Sequence, residues 1–235
     1  ETPRFQVGQL DVFKKPVLGR ADWSGSWLDG YPQEWARINV THSGGHKLRA
    51  SHTLARFFDP NKYYEKHPEL YEMRNGRRPK PSGKEWNPSL AQPELLARIA
   101  MEEIRAIMEK QPKRRYVSLG IMDAPFDDET PEIQEIVQKH DGSYSVPYYR
   151  FINLLARQVA KEYPDLLLTT YAYANVRQAP PNTRIEPNVV VTIVTKSYRW
   201  VNPVWAQQEK ALLQTWSDTG AKWMVHDWGF SGVSP

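Results

Sequence analysis

The sequence predicts an α/β fold built around a parallel sheet. Apolar segments that do not alternate with polar residues recur through the second half of the chain, as in strands covered on both faces. Segments with helical periodicity lie between them. Such alternation indicates βα units, and we therefore predict a (β/α) TIM-type barrel that is incomplete or is a fragment of a longer chain.

Four segments have the composition of buried strands. They are residues 116–122 (YVSLGIM), 166–174 (LLLTTYAYA), 189–194 (VVVTIV) and 222–228 (KWMVHDW). Two weaker candidates, FQVGQLDVF and KLRASHTLA, bring the expected number of strands to about six. A complete barrel needs about 250 residues. The 235 residues of the chain stop just past a strand, which is why we expect an incomplete barrel or a fragment.

Helices are predicted between these strands from apolar spacing and from residues that favour helix ends. Residues 92–109 form an amphipathic pattern, and the apolar residues of 148–159 recur at spacings of four, three and four. Thr130 and Pro131 open a shorter helix that ends near residue 140. A further helix begins at Asn202 and Pro203 and stops before Gly220.

We predict one domain over residues 1–235. Loops rich in Trp, Gly and Pro occupy residues 1–90, and regular βα units occupy residues 92–230. The connection 175–188 has no helical pattern, and long loops of this kind in compact folds are often functional.

Composition excludes several classes of protein. The chain has no cysteine, which excludes disulfides, thiolate zinc sites and cysteine nucleophiles. Basic residues that give the net charge of +4 are interleaved with acidic ones, which disfavours a nucleic-acid partner. No apolar run approaches the ~18 residues of a membrane span. The opening residues ETPRFQ lack a secretory signal, and a signal peptide upstream would favour a secreted or periplasmic protein.

Polar and aromatic residues follow the predicted strands, at the strand ends where parallel α/β folds bind ligands. Asp123 follows the first of the four segments, and Asp227 lies in the last. The other candidates at strand ends are His52, Tyr171, Tyr173, Lys196, Trp200 and Trp228. Carboxylates combined with aromatic, His and Lys side chains are typical of a carbohydrate site.

Asp123 and Asp227 are the predicted catalytic pair of a glycoside hydrolase. Such enzymes use two carboxyl groups, one as acid and one as base or nucleophile, about 5 Å apart for retention and about 6.5 to 9.5 Å apart for inversion. Asp123 would be the general acid or the acid/base, and Asp227 its partner carboxylate or a group that orients the sugar. The expected substrate-binding residues are Tyr171, Tyr173, Trp200 and Trp228 along the subsite, with His52 and Lys196 on hydroxyls or on a substrate carboxylate.

Other interpretations stay open. An aspartate at a strand end can cap the following turn. One lone carboxylate in an aromatic cleft would make a non-catalytic carbohydrate-binding domain, and a sheet edge without a cleft would make a structural or protein-interaction domain. Residues 127–129 are predicted to form a solvated first turn before a helix. The sequence contains no HExxH, phosphate-loop or GxGxxG motif, and no metal or cofactor is predicted.

Two longer stretches resemble a known family. They are DPNKYYEKHPELYEMRNGRR followed by NPSLAQPELLARIAMEEI, and SYSVPYYRFINLLARQVAKEYPDLLLTTYAYA. PNVVV and VHDW continue the resemblance in the same order, so that it covers roughly residues 35 to 230. The chain is similar in these motifs to a bacterial family of glycoside-hydrolase-like barrels that is labelled a domain of unknown function, distantly similar to α-glucuronidases and β-hexosaminidases.

The resemblance implies a barrel that acts on, or binds, a polysaccharide or oligosaccharide, within a longer parent chain that carries further domains. Asp123 matches the first aspartate of a pair in the relatives, while APFDDETPEIQ replaces the second aspartate and a cysteine cluster. Six further residues fall on matching motif positions: His46, His52, His67, Asn153, Tyr173 and Asp227. For these residues the resemblance implies a location in the family's fold but no mechanism. The resemblance therefore adds His46 to the substrate-binding candidates.

Overall fold

The computed structural model describes residues 48–196, 199 and 202–227. The helices in this part of the chain are α1 (Pro60–Tyr63), α2 (Pro93–Lys110), α3 (Pro131–Gln138), α4 (Ser145–Glu162) and α5 (Pro203–Asp218). The strands are β1 (Tyr116–Ser118), β2 (Leu167–Ala172), β3 (Val189–Thr195) and β4 (Lys222–Asp227). Among these described helices, none has the length and apolar character needed to cross a bilayer.

The four strands form one parallel sheet in the order β1-β2-β3-β4. Tyr116 lies opposite Leu167 where β1 meets β2, and Val190 lies opposite Lys222 where β3 meets β4. The prediction of an α/β fold with a parallel sheet is confirmed. Over the described residues the sheet is not closed into a barrel.

The two weaker strand predictions have different outcomes. The segment FQVGQLDVF lies outside the described residues. In KLRASHTLA the described part contains only an isolated parallel bridge between His52 and Gly120, followed by a 3-10 turn at Leu54–Phe58. This segment therefore runs beside the end of β1 without adding a full strand to the sheet.

β1 ends earlier than the predicted range of 116–122. Leu119 still donates its N–H to the carbonyl of Thr169 at 2.8 Å, but the next carbonyl, that of Gly120, accepts from the N–H groups of Thr53 and Leu54 at 3.1 and 3.0 Å. The chain leaves the ladder with β2 at this point because its main-chain groups pair with the preceding segment instead.

The sheet has two differently covered faces. On one face, the Thr170 hydroxyl shares a hydrogen bond with the buried Tyr148 phenol of α4. Tyr171, the next residue of β2, has its side chain on the other face because successive strand residues alternate. Its hydroxyl donates to the carbonyl of Ala50 at 2.8 Å. The side chains of β2 therefore connect α4 to one face and the segment before β1 to the other.

The predicted helices are confirmed, with ends shifted by a few residues. α2 buries the apolar stripe that contains Leu96, Ile99 and Ile104, and it packs against α4. In α5 the Asn202 side chain accepts from the first main-chain N–H groups of the helix, as a cap does. Gly220 adopts φ of +73°, which an L side chain rarely tolerates, just after the helix. Local signals were sufficient for these elements.

Candidate functional site

Asp123 lies in the loop that follows β1, at the carboxyl end of the sheet, and its side chain is exposed. The Tyr173 hydroxyl, one residue past the end of β2, donates a hydrogen bond to Asp123 Oδ1 at 2.9 Å. Two side chains that the sequence selected from different strand ends are therefore in direct contact. The contact does not use Oδ2 of Asp123.

His52 lies against the same group of residues. Its Nδ1 is 2.5 Å from the carbonyl of Ile121. Because a carbonyl oxygen only accepts hydrogen bonds, Nδ1 carries a proton in this contact. The centroid of the imidazole ring is 4.9 Å from that of Tyr171 and 6.0 Å from that of Tyr173. We refer to Asp123, His52, Tyr171 and Tyr173 as the mouth cluster.

Both tyrosines of the mouth cluster are held in the protonated form. Burial raises the pKa of Tyr173, and the hydrogen bond to Asp123 and the charge of this carboxylate raise it further. Burial also raises the pKa of Tyr171, with a smaller contribution from the Asp123 charge. A phenol that stays protonated remains a hydrogen-bond donor, so Tyr173 can orient the Asp123 carboxylate over a wide range of pH.

The loop that carries Asp123 is fixed by side chains from other segments. The buried Asn87 accepts from the N–H of Met122 at 2.9 Å and donates to the carbonyl of Ala124 at 2.8 Å. Asn175 makes a similar pair of hydrogen bonds to the main chain of Phe126, at 3.1 and 2.8 Å. These contacts hold the main chain on both sides of Asp123 in place.

The remaining predicted site residues fall into two groups. Asp227 is the last residue of β4, where its main chain lies in register with Thr195, and Lys196 directly follows β3 and is exposed. These positions are at the carboxyl ends of their strands, as predicted. The candidates His46, Trp200 and Trp228 lie outside the described residues.

Two residues that the sequence analysis did not select lie at the same end of the sheet. His226 of β4 has its ring centroid 6.5 Å from that of Tyr171, although β3 separates the two strands. Glu85 accepts the main-chain N–H of Asp123 through Oε2 at 2.9 Å. The signal for His226 was its place in the motif VHDW, but no local pattern marks Glu85, which lies far from Asp123 in the sequence.

Two residues at positions that match the family motifs have contacts away from the mouth cluster. His67 pairs with Glu69 through Nδ1 and Oε1 at 3.0 Å. The buried Asn153 donates to the carbonyl of Arg184 at 2.8 Å and accepts from the N–H of Glu186 at 3.1 Å. The contact of His67 fixes a surface turn, and the contacts of Asn153 fix the loop before β3. Both residues therefore have structural roles.

The predicted solvated turn at 127–129 is wrong at its central residue. Asp128 is fully buried and accepts hydrogen bonds from the main-chain N–H groups of Met73 and Thr130 and from the hydroxyls of Ser89 and Thr130. The residues on either side of it are exposed, as predicted. Asp128 is buried because it ties together segments distant in the sequence, which no local signal indicates.

The mouth cluster combines an accessible carboxylate, a phenol that orients it and a histidine packed on a tyrosine. Such a group can bind hydroxyl-rich ligands and can exchange a proton with them. Within the described part of the chain, no group of three or more His, Cys, Asp or Glu side chains is arranged to hold a metal ion.

The sequence was compared with protein families, curated proteins and solved structures. Residues 2–231 match the family described as Domain of unknown function (DUF4838). No curated protein and no solved structure matches the chain. Because the match extends over nearly all of its 235 residues, the chain belongs to the DUF4838 family.

Proposed function

We propose that this protein hydrolyses glycosidic bonds in a polysaccharide or oligosaccharide, with Asp123 as the general acid. The contact between the Tyr173 hydroxyl and Asp123 Oδ1 carries the proposal, because it orients an exposed carboxylate at the carboxyl end of a parallel sheet. The proposal includes the finer architecture, in which the four-stranded sheet is a sector of a glycoside-hydrolase-like (β/α) barrel. The motif resemblance supports that part.

The mouth cluster supplies the contacts that such a reaction needs. Asp123 would donate a proton to the glycosidic oxygen as the bond to the anomeric carbon breaks. Tyr173 would keep the carboxyl group in one orientation by its hydrogen bond. His52 and Tyr171 would pack against the sugar or bind its hydroxyls, and Lys196 would bind a substrate carboxylate if the sugar is acidic.

The experiment is a screen of defined polysaccharides and oligosaccharides with analysis of the products. For a substrate that is cleaved, we expect Asp123→Asn to lower turnover by about 100-fold to 10,000-fold, the usual range for loss of a general acid. Tyr173→Phe should lower it less, by about 10-fold, since the carboxylate is kept and only its orienting hydrogen bond is lost. Unchanged turnover in Asp123→Asn would show that the acid is another residue.

A non-catalytic carbohydrate-binding domain is the second candidate function. The packing of His52 on Tyr171 favours it, because an aromatic surface beside a polar group is sufficient to bind a sugar. Affinity electrophoresis in gels that contain each polysaccharide would distinguish the two. Binding without any product, and with equal retention of wild type and Asp123→Asn, supports the binding domain.

A further inference from the structure

Glu85 brings a second carboxylate to the mouth cluster. Its Oε2 accepts the main-chain N–H of Asp123 at 2.9 Å. With this contact, standard bond lengths limit the separation of the two carboxyl carbons to about 8 Å. Pairs of carboxylates in glycoside hydrolases lie about 5 to 9.5 Å apart. The contact therefore keeps the Glu85–Asp123 pair below the upper distance for joint action on one glycosidic bond.

The segment that carries Glu85 is fixed against the Asp123 loop. The neighbouring Asn87 binds the main chain of both Met122 and Ala124, so residues 85–87 contact three successive residues of that loop. Trp86 packs on Tyr71 with ring centroids 5.5 Å apart. A glutamate between such anchors has a limited range of positions, although its own side chain is exposed to solvent.

We propose that Glu85, in place of the predicted Asp227, is the second carboxylate of the site and acts as the base. This inference rests on the proposed hydrolysis, in which Asp123 is the acid. The oxygen of a water molecule bonds to the anomeric carbon while one of its protons passes to Glu85. The glycosidic bond breaks, and the leaving oxygen takes the proton of Asp123. One water is consumed, Glu85 ends protonated and Asp123 ends ionised, and solvent returns the proton.

The solvent exposure of Glu85 is the reason for assigning it the base role. A base needs to reach only a water molecule, whereas a nucleophile must contact the anomeric carbon with one of its oxygens. The contact with the Asp123 N–H already uses Oε2. Direct attack by water reverses the configuration at the anomeric carbon, so the first product should have the inverted anomer.

The test compares Glu85→Gln, Glu85→Ala and Asp123→Asn with Glu109→Gln, a control on the exposed end of α2. On a polysaccharide that the full chain cleaves, both Glu85 variants should lose about 100-fold or more in turnover. Sodium formate, a small carboxylate, should restore part of the activity of Glu85→Ala but none of that of Asp123→Asn. The control should keep wild-type turnover. Proton NMR of the first product gives its anomeric configuration.

A second readout does not depend on activity. The amide proton resonance of Asp123 should lie further upfield in Glu85→Ala than in wild type, because the substitution removes the carboxylate that accepts its hydrogen bond. In the control Glu109→Gln it should stay at the wild-type position. An amide resonance that is unaffected by the substitution overturns the pairing of Glu85 with Asp123.

The outcomes separate this inference from the proposed function. If Glu85→Gln is as active as wild type while Asp123→Asn is inactive, the inference is wrong and hydrolysis by Asp123 stands. Retention of the anomeric configuration overturns the base role of Glu85. A full chain that cleaves no polysaccharide in the panel overturns both proposals.

Discussion

Asp123 and Asp128 lie on the same loop between β1 and α3, but the structure uses them in opposite ways. Asp128 is fully buried, and its two carboxylate oxygens accept hydrogen bonds from Met73, Ser89 and Thr130. Asp123 is exposed, and its carboxylate receives the hydrogen bond of Tyr173 through one oxygen. We call residues 119–123 the mouth end of the loop and residues 127–130 the anchored end.

The difference shows which carboxylate can do chemistry. Each oxygen of Asp128 is engaged by protein donors, so a substrate could bind to it only by breaking these hydrogen bonds in a buried environment, which is costly. Asp123 keeps Oδ2 outside its contact with Tyr173. The anchored end holds the loop in place, and the mouth end presents an accessible carboxylate.

The largest effect is expected from loss of the anchor. Asp128→Ala leaves the buried hydroxyl of Ser89 and the main-chain donors without their acceptor, and should lower the free energy of unfolding by about 3 to 5 kcal/mol. Urea denaturation measures the change. In Asp127→Ala, the matched control, only an exposed ion pair with Arg74 is lost, and a change within about 1 kcal/mol is expected. Equal effects in the two variants would contradict the distinction between the carboxylates.

The sequence predicted the helices and the parallel strands because their signals are local. Apolar spacing and end residues, such as Asn202 before α5, act within a few turns of chain, and the structure has these elements where they were expected. Tyr173 and Asp123 were both selected, because each follows a buried strand and parallel strands end at one edge of the sheet.

The sequence could not predict that the anchored end of this loop is buried at Asp128 while the mouth end is exposed at Asp123. Whether an acid is buried depends on what packs over it, and Asp128 is bound by Met73 and Ser89, which lie 55 and 39 residues away in the sequence. Glu85 was missed for the same reason, since its contact with Asp123 joins two loops that carry no shared pattern. β1 is shorter than predicted because the N–H groups of Thr53 and Leu54 donate to the carbonyl of Gly120, which leaves the ladder with β2 at that point.

The next largest effect is expected at the mouth end. A β-carbon at Gly120 would lie 2.5 Å from the carbonyl oxygen of Ser51 and 2.7 Å from Cδ2 of Tyr171, distances that real contacts do not reach. Gly120→Ala should therefore displace the ring of Tyr171 and lower the free energy of unfolding by about 3 kcal/mol. Urea denaturation gives the stability change, and near-UV circular dichroism reports the ring.

Gly142→Ala is the control for replacing a glycine where the added β-carbon meets no other atom. Gly142 has φ of +79° and has no atom near the position of an added β-carbon, so that only conformational strain of about 1 kcal/mol is expected. Its near-UV spectrum should match that of wild type. If Gly120→Ala lowers the free energy of unfolding no more than Gly142→Ala does, the close packing of Ser51 and Tyr171 around Gly120 is contradicted.

The smallest effect concerns the pH dependence of the anchored end. Glu72 accepts the N–H of Asp127 at 3.0 Å and pairs with Arg74 at 2.9 Å. Burial raises the pKa of Glu72 to about 6 from 4.5, and the charge of Asp128 adds to this, while Arg74 and the Asp127 N–H oppose it. Between these two values the folded protein binds more protons than the unfolded chain. The contribution of Glu72 to stability therefore falls as pH rises through this window, by about 2 kcal/mol in total.

Glu72→Gln should remove this slope. Urea denaturation at about pH 4 and about pH 7 gives the change in unfolding free energy for each protein, and the drop from acid to neutral pH should be about 2 kcal/mol smaller in the variant than in wild type. Glu135→Gln tests a pH dependence of stability with the opposite sign. The hydrogen bond from Lys139 lowers the pKa of the exposed Glu135 carboxyl, so the contribution of this group to stability rises with pH. The same drop in wild type and Glu72→Gln would mean that the pKa of Glu72 is the same in the folded protein and in the unfolded chain, so that the hydrogen bonds from Arg74 and from the Asp127 N–H balance the cost of burying the carboxylate.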